Sequence, residues 1–379
     1  MWPFGFNSRY PYTDFHELNA DWILAKMHQL ENKVLSFSKD IKGAVYDWMN
    51  DHPEASTTVQ DHSLTYEKLV NGTLGFVTPE MFGAAGDGIT DDSTAVSDAI
   101  DFAHDNKIPL VLISDSYDAH NVTSTYLCDI EGNGNTVNFG AHAFLYDQDI
   151  TLDNVCIIST HAVDKNGNIT AFLNHTTNVD SVTVRDVKFD CTSATDALRG
   201  FIFLRVLADR LIVDGLEING AWTGVVVSNV SSVSPESYYI NNVAGRNIQT
   251  LIDIEGYLST ADYSGYLKNV TITNIELINT QTQAGTYSSA VGADAVLVIN
   301  VDRLTINNVR SVYAIERTIY CTNVKNAIID GITTSYSQSV KVVGTQLHLL
   351  DPNLSGYIKS SNIMINNLNV HNATDGYAL

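Results

Sequence analysis

The sequence predicts a mainly β protein, in which a right-handed parallel β-helix follows an N-terminal α-helical coiled-coil stalk. Two patterns support this fold class. Near the N-terminus, apolar residues recur with alternating spacings of four and three, and a phrase of the form apolar-x-apolar-x-Asn-apolar then recurs along the rest of the chain. A seven-residue apolar repeat is typical of a coiled coil, whereas a period of roughly 20–50 residues is typical of stacked repeat folds.

The heptad pattern defines the predicted stalk, residues 23–52. Its helix is expected to end at His52-Pro53, because the residue before a proline is disfavoured in helical conformation. A helix that packs on its own domain usually has a broader apolar face, so the narrow seam favours self-association. The seam consists of Ile23, Met27, Leu30, Val34, Phe37, Ile41, Ala44 and Trp48.

Residues 1–22 precede the stalk and begin with a cluster of aromatic side chains. Such a segment has little core of its own to join. It is expected either to fold back on the stalk or to dock in a groove of another protein, since aromatic anchors dominate interfaces. The candidate docking residues are Trp2, Phe4, Phe6, Tyr10 and Tyr12.

The strand repeat defines the β-helix, residues 77–379, with residues 53–76 as a connector. The apolar residues that close successive phrases are about 23–36 residues apart, which fits one coil of a parallel β-helix. An antiparallel sandwich would need a turn every 8–12 residues or so. Asn or Gly is expected at each bend, where the backbone requires a positive φ. The closing residues are Val155, Val187, Leu216, Val243, Ile275, Val309, Ile332 and Leu368.

Composition restricts the function classes. The chain is 44% hydrophobic with a formal net charge of −22 and no basic run, which argues for a folded protein and against nucleic-acid binding. No stretch approaches the roughly 20 apolar residues that span a bilayer, and no secretion signal is expected at the N-terminus. The four cysteines are widely spaced, which predicts free thiols. No metal-ligand motif occurs among the 11 histidines, so we expect no metal or other cofactor.

Glycan cleavage would require two carboxylates on one face, and the strand Leu251–Glu255 offers them. If Ile252 and Ile254 face the core, Asp253 and Glu255 point outward together, about 7 Å apart along the strand. The alternative is that these polar residues simply face solvent. Neighbouring coils could add Arg205, Asp294, Arg317 and Tyr320. The candidate glycan-binding residues are Trp222, Tyr257, Tyr287, Tyr320 and Arg317.

Two segments resemble a known family. The phrase FVTPEMFGAAGDGITDDSTAVSDAI is similar to the opening of pectate-lyase-like β-helix proteins, in particular bacteriophage tailspikes and appendages, where it leads a capping helix over the first coil. The upstream PYTDFHELNADWILAKMHQLENKV is similar to the N-terminal helix of virion appendage proteins of small tailed phages with Gram-positive hosts. The family contains lyases, hydrolases and inactive adhesins, so the resemblance implies the fold more strongly than an activity.

The resemblance implies two functions that remain open. The first is a virion structural appendage, a homotrimer that docks to a phage tail or collar protein through its N-terminus and attaches to a host cell-wall glycan. The second is a depolymerase on the same β-helix, a hydrolase or lyase of a glycan or teichoic acid, with Asp253 and Glu255 as catalytic residues. A secreted pectinolytic enzyme is disfavoured by the coiled coil.

Overall fold

The computed structural model describes residues 75–160, 170–191, 201–228, 237–256, 267–279, 294–314, 317–335, 345–348 and 362–371. All of them belong to the unit Thr65–Leu379. The predicted docking segment and stalk lie outside these ranges, as does nearly all of the connector, so those assignments stay predictions. Within the described ranges, no helix is both long and apolar enough to span a membrane.

The described chain begins with two short helices followed by strands. A 3₁₀ helix covers Pro79–Phe82, and the helix α1 covers Ser93–Asn106. The apolar side of α1, which includes Val96, Ala99 and Ile100, is buried in the same core as the first strands. The helix therefore caps the first coil, as the resemblance implied.

Twenty strands make up the rest of the described chain. The first nine are β1 Asp87–Asp91, β2 Leu110–Val111, β3 Ser116–Asp118, β4 Ile130–Glu131, β5 Thr136–Asn138, β6 Phe144–Tyr146, β7 Ile150–Asp153, β8 Cys156–Ile158 and β9 Thr170–His175. The others are β10 Val179–Asp190, β11 Phe201–Val206, β12 Ala208–Asn219, β13 Thr223–Ser228, β14 Ser237–Arg246, β15 Thr250–Glu255, β16 Leu267–Ile278, β17 Asp294–Val312, β18 Arg317–Ser335, β19 Thr345–His348 and β20 Ile363–His371.

The strand pairs are parallel throughout the described residues, and each strand pairs with a strand one coil away. Three faces result. Face A contains β2, β4 and β7, the first segments of β10, β12, β14, β16 and β20, and the middle segments of β17 and β18. Face B contains β1, β3, β5 and β8 with the last segments of the long strands. Face C contains β6, β9, β11, β13, β15, β19 and the first segments of β17 and β18. This architecture is a parallel β-helix, which confirms the predicted fold class for this part of the chain and rules out the antiparallel sandwich.

The coil-to-coil register matches the repeat that was read from the sequence. Val187 pairs with Leu216, which pairs with Val243, and the series continues through Ile275, Val309 and Ile332 to Leu368. These closing residues are buried up to Ile332, and Leu368 is partly buried. The apolar periodicity alone therefore fixes which residues stack.

A column of positive-φ residues turns the chain from face A to face B, because each coil must bend there. The residue before each closing apolar position adopts φ between 48° and 79°, and it is Asn, Asp or Gly each time. These residue types tolerate the left-handed region best. The column consists of Asn154, Asp186, Gly215, Asn242, Asn274, Asn308, Gly331 and Asn367.

The Gly-rich phrase before α1 is held together by its own carboxylates. Asp92 is 3% exposed, and its carboxylate accepts hydrogen bonds from the backbone N–H groups of Ala85 (2.6 Å) and Gly86 (3.1 Å). Asp91 accepts from the backbone N–H of Ser93, and Asp87 accepts from the Thr90 N–H and hydroxyl. An Asp at the N-cap position usually accepts a hydrogen bond from the first turn of its helix. Asp92 holds the cap position, but its side chain fastens the preceding loop instead.

The interior is apolar and rich in aromatic rings. Phe203 lies 4.7 Å from Phe189 and 6.2 Å from Phe172 between ring centroids, and all three are essentially unexposed. The four cysteines are free thiols; three are buried and Cys156 is partly buried.

Candidate functional site

Strand β15 presents two carboxylates on the outside of face C. Ile252 and Ile254 are 0% exposed and face the core, whereas Asp253 is partly buried and Glu255 is exposed. The alternation of a strand therefore places both acids on the outer surface, in the orientation expected from the sequence. Their separation along the strand is about 7 Å.

The environment of Asp253 favours its protonated form. Burial is the main cause, and the negative charges of Glu255 and Asp294 add to it; together they raise the pKa of Asp253 to about 7. The Oδ1 atom of Asp253 is buried without a hydrogen-bond partner among the described residues. A carboxyl group with this pKa is able to donate a proton near neutral pH, and perturbed acids of this kind are concentrated at functional sites.

Asp253 belongs to a row of residues that runs across the coils of face C, and two of its members, Val226 and Leu297, are buried. In register it lies between Val226 and Leu297, and Leu297 in turn pairs with Tyr320. On the other side, Val226 pairs with Arg205, and Leu204 pairs with Leu173, which places Asn174 beside Arg205. We call this series the face C row; it consists of Asn174, Arg205, Val226, Asp253, Leu297 and Tyr320. It crosses six coils and is about 24 Å long at the usual strand spacing.

Buried polar atoms without partners are concentrated near this row. Five such side-chain atoms occur among the described residues, and four of them lie on β9, β11 and β15: Asn174 Oδ1, His175 Nε2, Arg205 Nε and Asp253 Oδ1. Buried polar atoms are hydrogen-bonded in the great majority of cases, so these atoms call for partners that the described residues do not supply, such as water molecules or a ligand.

His175 and Asn174 were not recognised from the sequence. His175 ends β9, where burial and the positive charge of Arg205 lower its pKa. Its ring lies 6.4 Å from that of Tyr146, whose hydroxyl donates to the backbone oxygen of Arg205. The available signal was the polar pair that closes the apolar strand AFLNH. Only the register of β9 with β11 shows that Asn174 lies next to Arg205.

The other predicted site residues are only partly brought together. Tyr320 is in the row, two coils from Asp253. Trp222 is partly exposed but precedes Val226 by four residues, about 13 Å of extended chain, so it does not lie beside Asp253. Arg317 pairs with Asp294 through the backbone. Tyr257 and Tyr287 lie outside the described residues, as do the docking residues and the seam residues of the stalk.

No metal centre is formed by the described residues: nowhere in these ranges do three His, Cys, Asp or Glu side chains come together as ligands would.

Comparison with known proteins gives resemblance at the level of the fold. No family model and no curated protein matches the sequence. Among solved structures, the chain is similar to the tailspike of phage phiAB6, in complex with oligosaccharides of Acinetobacter baumannii surface polysaccharide, with 14% identity, 78% of this chain and 55% of that chain covered, and a TM-score of 0.32. It is also similar to PfbA, a surface adhesin of Streptococcus pneumoniae, with 10% identity, 76% of this chain and 99% of that chain covered, and a TM-score of 0.25. For gene product 12 of bacteriophage phi29 the identity is 12%, the covered shares are 80% of this chain and 58% of that chain, and the TM-score is 0.27. At these identities and TM-scores the similarities decide neither family nor activity.

Proposed function

We propose that this protein is a tailspike-like appendage of a phage virion and that it binds a surface glycan of a Gram-positive host along the face C row. The observation that carries the proposal is that Asn174, Arg205 and Asp253, three members of the face C row, each have a buried polar atom without a partner among the described residues. A flat parallel sheet that repeats every 4.8 Å or so offers a chain-like ligand a series of similar contacts. The resemblance of the Gly-rich phrase and of the N-terminal segment to phage appendage proteins supports the same function.

The binding proposal is tested with one matched pair of tyrosines. Tyr320 lies in the row, and Tyr239 is 42% exposed on β14 of face A. Tyr320→Ala should weaken sedimentation of the protein with purified Gram-positive cell walls by up to about tenfold, the effect of one lost aromatic contact of roughly 1.4 kcal/mol. Tyr239→Ala should bind as the wild type does. An equal loss of wall binding in both variants would contradict the proposal. So would a wild-type protein that binds none of the Gram-positive cell walls tested.

The N-terminal part of the proposal concerns assembly. Residues 23–52 form a coiled coil of three copies, and Trp2, Phe4, Phe6, Tyr10 and Tyr12 dock it to a tail or collar protein. The support is the apolar seam with its seven-residue repeat. This seam is narrower than the apolar face that a helix packed on its own domain usually has. Sedimentation equilibrium of the whole chain should give the mass of a trimer. A chain without residues 1–52 should give a mass below three times that of its own shortened chain. A monomeric whole chain at micromolar concentration would disprove the stalk.

A second candidate function, glycan hydrolysis, is favoured by the raised pKa of Asp253 beside Glu255. Protonated Asp253 would give its proton to the glycosidic oxygen while the bond to that oxygen breaks. Glu255 would take a proton from a water molecule as the water forms the new bond to the sugar carbon. The separation of about 7 Å along the strand is within the range of roughly 6.5–9.5 Å found in inverting glycosidases.

A further inference from the structure

Three of the buried polar atoms without partners belong to Asn174, His175 and Arg205, at one end of the face C row. Arg205 is partly buried, its Nε atom is buried without a partner, and it forms no ion pair with a carboxylate of the described residues. This is unusual in a chain with a formal net charge of −22. Because an arginine keeps its charge at any ordinary pH, a partly buried guanidinium without a counter-ion lowers stability unless an anion joins it.

The backbone around Arg205 is held by Tyr146, whose hydroxyl donates to the Arg205 oxygen at 3.0 Å and accepts from the Leu207 N–H at 3.1 Å. On the adjacent strand, Asn174 lies opposite Arg205 in register and contributes a buried polar atom without a partner. Side chains alternate along a strand, so His175 lies on the other side, where its ring is near that of Tyr146. A guanidinium beside a side-chain amide suits an oxyanion, since both can donate hydrogen bonds to it.

The distance to Asp253 sets the size of the ligand. Arg205 and Asp253 are two coils apart, about 10 Å, and Val226 lies between them in register. Val226 is 9% exposed and packs with Ala171 and Ile202 in a small apolar cluster. The row thus offers a cation, then an apolar surface, then an acid, over roughly the length of a disaccharide.

We infer that Asn174 and Arg205 form a subsite for a monoanionic group on the bound glycan, either a carboxylate or a phosphodiester, about two coils from the carboxyl pair. The inference rests on the proposed function, because it specifies the ligand of the same surface. Arg205 supplies the positive charge, and Asn174 contributes a further polar group beside it. A glycan that carries its charge at the corresponding distance would bind in one direction only.

The inference is tested with small anions. Titration calorimetry of the whole chain is performed with sodium glucuronate, with dimethyl phosphate and with neutral methyl glucoside, at constant ionic strength. One of the two anions should bind saturably and methyl glucoside should bind at least tenfold more weakly; the anion that binds identifies the group. Arg205→Gln should weaken that binding at least tenfold. Arg205→Lys keeps the charge but loses the guanidinium fork, so its affinity for the anion should lie between those of the wild type and Arg205→Gln.

The control is Arg210→Gln, which removes an exposed arginine of β12 on face A. It should bind the anion as the wild type does. Equal affinity in Arg205→Gln and wild type, or no binding of either anion, would overturn the inference. If Arg205→Gln also sediments with cell walls like the wild type, the subsite is wrong while the binding function stands. If the anion binds but no wall does, the reverse holds.

Discussion

Asp253→Asn is expected to lower the turnover of wall glycan at least about 100-fold, if the face C row cleaves its ligand, because the amide has no proton to give to the leaving oxygen. Glu255→Gln should have a similar effect through loss of the base. Neither change removes the row, so sedimentation with cell walls should persist in both variants. The matched control is Asp180→Asn, an exposed acid of β10 on face A, which should leave turnover unchanged.

The pH dependence of turnover follows from the raised pKa of Asp253. The protonated form is the active acid, so kcat should fall as the pH rises through about 7. Reductions in turnover that are equal for Asp253→Asn and Asp180→Asn would show that the site lies elsewhere. Absence of turnover in the wild type against the walls it binds would exclude hydrolysis and leave binding as the function.

Asp253 should also reduce the stability of the fold at alkaline pH. Its folded pKa is raised above the unfolded value, so the folded state holds the proton more tightly, and the free energy of unfolding falls as pH rises from about 4 to about 7. Asp253→Asn removes this penalty and should raise the melting temperature at pH 8 while changing it little at pH 4. An acid retained for structure alone would give the opposite result at pH 8. Turnover and the melting temperature at pH 8, measured on the same variant, together separate a catalytic role of Asp253 from a packing role.

The repeat could be predicted because it is encoded locally. Each coil of faces A and B carries its own apolar pair and its own bend residue, so aligning the phrases reproduces the structural register from Val187 to Leu368. The bend requires a positive φ, which restricts it to Asn, Asp or Gly whatever the rest of the coil contains. In this part of the molecule, sequence patterns and three-dimensional neighbours have the same period.

The site was only half predicted because its period is not encoded in the same way. Asp253 and Glu255 were found because they lie on one strand, where alternation is enough. Asn174 and Arg205 lie on different strands, and the segments that separate the strands of face C differ in length from coil to coil. Their proximity follows from the pairing of Leu173 with Leu204, which no single-strand pattern shows. Trp222 is a further case: it directly precedes β13, four residues before Val226 of the row, and stays a candidate that strand alternation alone does not place.

The interior of the β-helix should be most sensitive where aromatic rings from successive coils stack. Phe203→Ala is expected to lower the free energy of unfolding by about 3–5 kcal/mol, the usual result of removing a buried phenylalanine. Its ring contacts those of Phe172 and Phe189, and Phe172 in turn lies 5.6 Å from Phe144, so one truncation leaves a cavity between coils that hydrogen bonds keep at a fixed spacing. A parallel ladder leaves the backbone little freedom to close that cavity.

The measurement is urea unfolding of Phe203→Ala beside Ile328→Ala, which truncates a side chain that is 51% exposed on face A. The exposed change should cost no more than about 0.5 kcal/mol. Coincident transitions by far-ultraviolet circular dichroism and tyrosine fluorescence would establish that unfolding is cooperative enough for the comparison. If Phe203→Ala costs less than about 1 kcal/mol, the coils relax around the missing ring, and the stability of this β-helix resides in its backbone ladders instead of its aromatic interior.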